Sequence, residues 1–263
     1  MKRHFYPTVT LLIAILLFTG CTSLTKDTSP KIANANTPDL TGGSELQNRT
    51  GEHPYRVNDV VFFEGSSTRK LAALTFDDGP DVYYTTKILD ILGNNKIKAT
   101  FFIVGQRAEK HPEMIKRIFD NGHSIGNHSW DHPDLNKLTP EQVKTEVEET
   151  DKILSSITGL HTHLFRPPYG AASQNVVNEL ASMDYKIIDW SVDTRDWAGT
   201  SPATIMEHVK KEFKSGGIIL EHCAGGKNEN LDNTVKALPK IISYLKGQGY
   251  TFVTIPELLG LST

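Results

Sequence analysis

Two adjacent carboxylates and a spaced pair of histidines are the residues of this chain best suited to chemistry. Asp77 and Asp78 follow the apolar segment 71–76 and precede a Gly-Pro turn. Buried carboxylates are costly unless a cation lies nearby, although Asp-Gly-Pro is also ordinary turn chemistry. His128 and His132 are four residues apart and can converge on one ion if the chain turns once between them. Histidine with carboxylate favours a borderline divalent ion such as zinc.

Three further polar blocks follow apolar segments later in the chain. In the block 165–170, two prolines and a glycine fix an irregular backbone, which can aim an amide N–H outward and hold Arg166 rigidly. A rigid turn that caps a strand is the alternative for this block. The block 193–197 contains Asp-Thr-Arg-Asp-Trp, and the segment 218–222 ends in Glu-His. These blocks add charged and hydrogen-bonding side chains at the ends of apolar runs.

Strand-like and helical segments alternate along the chain and have to position these blocks. The predicted strands are 71–76, 98–104, 217–220 and 251–255, and the predicted helices are 86–92, from the Thr139 cap to Gly159, and from Ser201 to Gly216. Buried strands that alternate with helices predict a parallel α/β sheet or barrel. In α/β barrels the loops after the strands form the active face, which is where every polar block falls.

The five blocks, in this order, resemble the polysaccharide deacetylases of carbohydrate esterase family 4. The resemblance spans roughly Leu71 to Leu259, and the ordered set is far more specific than any single block. It implies a distorted (β/α) barrel with seven or so parallel strands and an active site at their C-terminal ends. It also implies a hydrolase that removes acetyl groups from a polysaccharide.

The resemblance assigns a role to each matching residue. The implied metal ligands are Asp78, His128 and His132. Asp77 is implied as the base that takes a proton from metal-bound water, with Arg166 orienting it. The implied general acid is His222, with Asp196 as its charge partner. The backbone N–H of Tyr169 would stabilise the oxyanion, and the substrate pocket would be walled by Pro168, Trp197 and Leu220.

The chemistry of these residue types agrees with those roles. A bound zinc lowers the pKa of its water from about 15.7 to about 7 and polarises a carbonyl. Three protein ligands with open positions are typical of a catalytic site, which leaves Asp77 free for proton transfer. Zinc is the predicted cofactor, with cobalt and nickel as alternatives. Cys223 departs from the usual pattern, and we predict a small buried side chain rather than a tuning or metal-reaching thiol.

The N-terminus carries an export signal. Lys2 and Arg3 precede the apolar run 9–18, and Thr19-Gly20-Cys21 ends it. This pattern resembles a bacterial lipobox and predicts a signal peptide at 1–20, a lipid on Cys21, a flexible tether at 21–54 and a catalytic domain at 55–263. An ordinary signal peptide is the alternative. The predicted location is the extracytoplasmic face of a bacterial membrane.

Composition limits the partners. The chain of 263 residues has a formal net charge of −3 and no basic stripe, which argues against nucleic acid. An N-acetylated glycan is the predicted partner, besides the membrane, and no protein partner is predicted. Peptidoglycan is the default substrate because of the predicted location. Polymers of N-acetylglucosamine, O-acetyl xylan, a catalytically silent glycan-binding lipoprotein and a wall-shaping structural lipoprotein remain alternatives.

Overall fold

Short apolar segments form a sheet in the computed structural model, which describes residues 56–57 and 59–261. The predicted signal peptide, Cys21 and the tether lie outside the described residues. The strands are β1 Arg56–Val57, β2 Val61–Phe62, β3 Leu71–Gly79, β4 Thr100–Ile103, β5 Ser124–Asn127, β6 Leu164–Phe165, β7 Lys186–Ile188, β8 Val192–Asp193, β9 Gly217–His222 and β10 Thr251–Phe252. The α-helices are α1 Tyr84–Asn95, α2 Gly105–Lys110, α3 Pro112–Asp120, α4 Pro140–Thr158, α5 Gln174–Ser182, α6 Pro202–Glu212, α7 Asp232–Gly247 and α8 Ile255–Leu259.

The sheet is parallel and curls into a barrel. Its order is β1-β2-β7-β6-β5-β4-β3-β9-β8, with β10 paired to β3, and the β1–β2 pair alone among the named strands is antiparallel. Strands β7 and β8 stand near opposite ends of this order, yet only residues 189–191 separate them in the chain. That short connection draws the two edges of the sheet together. The predicted distorted (β/α) barrel is therefore confirmed, with eight parallel strands from β2 to β8 in the main path.

The side chains of β3 alternate between the inside and the outside of the barrel. Leu74 and Phe76 join the core between the sheet and the outer helices, whereas Ala73 joins an inner cluster with Phe102 and Ile218. Thr75 and Asp77 continue the inward set, since side chains two apart in a strand share a face. Along β3, the inward-facing polar side chains thus lie toward the C-terminal end of the strand.

Local signals in the sequence predicted several helix boundaries. Thr139 and Gln142 form the expected capping box at the start of α4, and Gly159 ends that helix with a φ of 75°. Helix α6 stops at Glu212, earlier than predicted, because Phe213 is extended and packs against the core. The predicted strand 251–255 ends at Phe252, since Thr254 caps helix α8 instead.

Within residues 56–57 and 59–261, no helix has the length and apolar character needed to cross a membrane.

Candidate active site

The side chains predicted to do chemistry come together at one edge of the sheet. Asp77 and Asp78 lie near the C-terminal end of β3, and His128 follows β5 directly. Arg166 follows β6, and His222 is the last residue of β9. All of these strands are parallel, so their C-terminal ends meet at the same edge. These side chains, which are spread over more than half of the chain, therefore come together because their strands are parallel neighbours in the sheet.

Asp77 is held by a buried arginine. Arg166 Nη1 donates to Asp77 Oδ1 at 2.7 Å and to Thr75 Oγ1 at 2.8 Å. The guanidinium also donates to the carbonyls of Ile188 and Asp189, and its side chain is fully buried. Four donor contacts in a planar fork leave the guanidinium one orientation. Asp77 consequently has a fixed position inside the barrel, with its charge balanced by a cation that does not lose its proton.

Asp78 lies between two imidazoles. Its Oδ1 is 3.4 Å from His128 Nε2 and 3.3 Å from His132 Nε2. Burial raises the pKa of Asp78, but the contact and charge of His128 and the charges of His222 and His132 outweigh it and lower that pKa. Among the described residues this Oδ1 atom is buried without a hydrogen-bond donor. One ligand atom from each residue lies within 4.8 Å of the others.

The tautomer of His128 tests whether a metal fits this cluster. His128 Nδ1 lies 2.6 Å from the carbonyl oxygen of Arg166, which can only accept, so Nδ1 carries the proton. In the neutral ring Nε2 then presents a lone pair toward the Asp78 carboxylate. Two lone pairs that face each other are unfavourable unless a cation lies between them. The donor set therefore fits a divalent metal, and the Nδ1 hydrogen bond is the support that metal-binding histidines typically have.

His222 is paired with a second buried carboxylate. Its Nδ1 is 2.8 Å from Asp196 Oδ1, and its backbone N–H donates to Asp196 Oδ2 at 2.9 Å. Thr234 Oγ1 and the Trp197 N–H complete the contacts of Asp196. Burial lowers the pKa of His222, but the charge and hydrogen bond of Asp196 raise it to about 9. Asp196 therefore favours the protonated, cationic form of His222 at neutral pH.

The two halves of the site are neighbours. In the β3–β9 register Asp77 lies opposite His222, so both side chains enter the barrel next to each other. Asp77 Oδ2 is also 3.8 Å from His128 Nε2. Asp77 thus lies beside both the candidate metal cluster and His222.

Backbone strain concentrates at the same residues. Asp78, His132 and Tyr169 have φ values of 67°, 65° and 62°. A residue other than glycine in this left-handed region costs on the order of 1–3 kcal/mol, and such residues cluster at functional sites. Three of the residues singled out from the sequence therefore occupy conformations that the surrounding structure has to enforce.

The predicted pocket walls differ in exposure. Leu220 and Pro168 are buried, whereas 49% of Trp197 and 69% of Tyr169 is exposed. The Tyr169 ring packs edge-on against His132, with ring centroids 4.7 Å apart. Cys223 is fully buried as predicted, and its thiol lies 3.4 Å from the Asp77 carbonyl oxygen. The exposed aromatic rings therefore lie on the rim, beside the buried catalytic candidates.

Several supporting residues gave no recognisable signal in the sequence. Thr75 and Thr234 hold Arg166 and Asp196 through their hydroxyl groups. Glu146, from the middle of α4, accepts from the N–H groups of Trp130 and Asp131 and so fixes the loop between the histidines. These contacts join distant segments, and only a three-dimensional fold brings them together.

Comparisons with known proteins identify relatives of this chain. Residues 64–188 match the polysaccharide deacetylase family. A peptidoglycan-N-acetylglucosamine deacetylase of Bacillus cereus is 42% identical over 200 residues, which cover 76% of this chain and 72% of that protein. A peptidoglycan-N-acetylmuramic acid deacetylase of Bacillus subtilis is 36% identical, with 76% of this chain and 75% of that protein covered.

A solved structure gives the same result for the fold. The crystal structure of a peptidoglycan N-acetylglucosamine deacetylase in complex with a substituted benzamide superposes with a TM-score of 0.73. The two chains are 41% identical, and the match covers 76% of this chain and 92% of the other. The chain belongs to the polysaccharide deacetylase family.

Proposed function

We propose that this polysaccharide deacetylase hydrolyses N-acetyl groups of peptidoglycan with the help of a divalent metal. The observation that carries the proposal is the juxtaposition of Asp77, the Asp78–His128–His132 cluster and His222 at one edge of the sheet. Amide hydrolysis needs an activated water, a stabilised oxyanion and an acid for the leaving amine. This edge offers a residue for each task.

Asp78, His128 and His132 would hold the metal. When bound, a divalent ion polarises the acetyl carbonyl and lowers the pKa of water, and zinc suits the two imidazoles and the carboxylate. Cobalt and nickel accept the same ligands. The buried Oδ1 of Asp78, which has no donor among the described residues, supports this assignment.

Asp77 would act as the base. Its Oδ1 is occupied by Arg166 at 2.7 Å, while its Oδ2 points toward the histidine cluster. One oxygen is therefore anchored and the other can accept a proton from the attacking water. Arg166 orients the carboxylate and leaves the proton with Asp77, since a guanidinium does not exchange it.

His222 would donate a proton to the departing amine. Its pKa of about 9 keeps the ring protonated at neutral pH, which an acid requires. Asp196 would hold Nδ1 and leave Nε2 directed toward the substrate. The Tyr169 N–H would stabilise the oxyanion, since its positive φ turns this peptide away from the regular direction of the chain. Trp197, Leu220 and Pro168 would enclose the acetyl group.

Peptidoglycan is proposed as the substrate because both relatives named above carry that activity in their names. Anchoring through Cys21 on the outer face of the membrane would put the site beside this polymer. A silent glycan-binding protein is less consistent with the complete set of base, acid and ligand residues. An O-acetyl esterase would use the same residues, and the release of free amine in the test below distinguishes it from an N-deacetylase.

The test is the release of acetate and free amine from purified peptidoglycan and from N-acetylglucosamine oligomers, by the full chain with zinc or cobalt added. Metal-dependent release that Asp77→Asn abolishes, while metal binding persists, is the expected result. Release from neither polymer by protein that binds metal would overturn the proposal.

A further inference from the structure

A cavity of about 400 Å³ continues from the candidate metal ligands onto helix α2. Asp78 and His132 line one side of it, and Arg107, Lys110 and His111 line another. The volume falls in the range of roughly 300–1,000 Å³ that is typical of ligand sites. Basic side chains therefore line the same cavity as two of the candidate metal ligands.

Two of the basic residues share one face of the helix. Arg107 and Lys110 are spaced at i and i+3 in α2, so they project in similar directions, and His111 follows the helix and lines the same cavity. The start of α2 is tied to the histidine loop, since the N–H of Gln106 donates to the Trp130 carbonyl at 2.9 Å. A side chain at Gly105 would collide with the Trp130 ring, whose Cε3 atom lies 2.4 Å from the Cβ position. The basic face is therefore fixed relative to His132.

The charge of this wall is not neutralised internally. Within the described part of the chain, neither Arg107 nor Lys110 forms an ion pair, and His111 lies 3.7 Å from Glu113. Asp131 is the acidic residue on the wall besides Asp78. Two permanent cations thus face one carboxylate that is outside the metal cluster. Both cations also lie in the last turn of α2, where they complement the helix dipole. That role needs no contact with the cavity.

We propose that Arg107 and Lys110 form a subsite for a carboxylate of the glycan substrate. The inference rests on the proposed function and narrows its substrate to anionic glycans. Peptidoglycan carries carboxylates on its muramic acid lactyl groups or stem peptides, whereas N-acetylglucosamine oligomers carry none. The planar fork of an arginine matches a carboxylate in a bidentate contact. The cavity would accept the anionic branch while the acetyl group lies at the metal cluster.

The experiment compares glycans of equal length that differ in charge. They are strands with intact stem peptides, strands from which an amidase has removed the stems to leave free lactyl carboxylates, and neutral N-acetylglucosamine oligomers. The double variant Arg107→Gln/Lys110→Gln should lower the ratio of kcat/KM for anionic over neutral glycan roughly tenfold or more, mainly through KM. If this ratio falls only for strands with intact stems, the bound carboxylate belongs to the peptide. If it falls for strands without stems, the bound carboxylate belongs to the lactyl group.

The control variant Lys144→Gln/Lys152→Gln removes the same charge from the exposed face of α4 and should leave the ratio unchanged. An unchanged ratio in the α2 variant, or an equal fall in both variants, would overturn the subsite. Binding of the same glycans to metal-loaded protein with Asp77→Asn gives a second readout that needs no turnover. If wild-type protein cleaves neither glycan, the proposed function fails. In that case the ratio of the dissociation constants for neutral and anionic glycan still shows whether the subsite exists.

Discussion

The Asp77–Arg166 and Asp196–His222 pairs lie on neighbouring strand ends and have nearly equal lengths, 2.7 and 2.8 Å. In both pairs the carboxylate is almost completely buried. The cations differ, because a guanidinium keeps its proton at all relevant pH values whereas an imidazole can release it. The same geometry therefore serves two tasks. Under the proposed mechanism, one pair would fix a base, and the other would hold a proton for delivery.

Removal of either proton-transfer side chain should give the largest effect. Asp77→Asn and His222→Asn are each expected to lower kcat by about 10²–10⁴-fold, since each removes one positioned acid–base group. The measurement is acetate release at saturating metal and substrate. His161→Asn is the matched control, because His161 forms a 2.6 Å pair with Asp151 on the surface. Comparable losses in the control would mean that the effect does not arise from the active edge.

Breaking the arginine pair should lower stability as well as activity. Arg166→Met leaves Asp77 buried without its cation and is expected to lower the free energy of unfolding by about 3–5 kcal/mol. Urea denaturation measures this change. Arg195→Met, which breaks the exposed 3.9 Å contact with Asp193, should cost about 0–1 kcal/mol. The double variant Asp77→Asn/Arg166→Met should recover part of the lost free energy of unfolding. If the losses of the two single variants simply added in the double variant, the two side chains would not be paired.

Glu221 adds a third buried carboxylate beside Asp196. Both of its oxygens are buried with no hydrogen bond to another described residue. Burial and then the charge of Asp196 raise its pKa well above the ordinary value. The folded protein therefore holds this proton more tightly than the unfolded chain. Stability from this group is greatest at low pH and declines as pH rises above about 4.3.

Glu221→Gln should remove that decline, which amounts to at most about 1.4 kcal/mol per pH unit for one group. Free energies of unfolding at pH 5 and pH 8 should differ less in the variant than in the wild type. Glu207→Gln changes an exposed residue of α6 and is the control. An identical pH dependence in all three proteins would show that Glu221 ionises as freely when folded as when unfolded.

Cys223 should give the smallest effect. Burial raises the pKa of its thiol well above the ordinary value, so the side chain stays neutral. Cys223→Ser keeps the size and a donor toward the Asp77 carbonyl, and the free energy of unfolding should change by about 1 kcal/mol or less. kcat should stay close to that of the wild type. A large loss of kcat in a folded variant would assign the thiol a part in the chemistry.

Sequence patterns predicted the strand ends and their polar residues, because apolar runs and the residues that follow them are contiguous in the chain. The convergence of Asp78 with His128 and His132 followed from the parallel arrangement. The contacts of Thr234 and Glu146 did not, since each lies within a helix whose pattern reveals only its apolar face. The burial of Glu221 was equally hidden, because the residues that precede it in β9 are apolar whichever way the strand faces.

The pH dependence of kcat/KM in wild type, Asp196→Asn and Arg166→Lys tests the difference between the two pairs most directly. The proposed mechanism requires a protonated His222, so wild-type activity should be lost as pH rises through the His222 pKa of about 9. Asp196→Asn should move this alkaline limb to lower pH, because the charge that raises the pKa is gone. Arg166→Lys should reduce the activity and leave the limb in place. An alkaline limb at the same pH in Asp196→Asn and wild type would contradict the assignment of His222 as the acid.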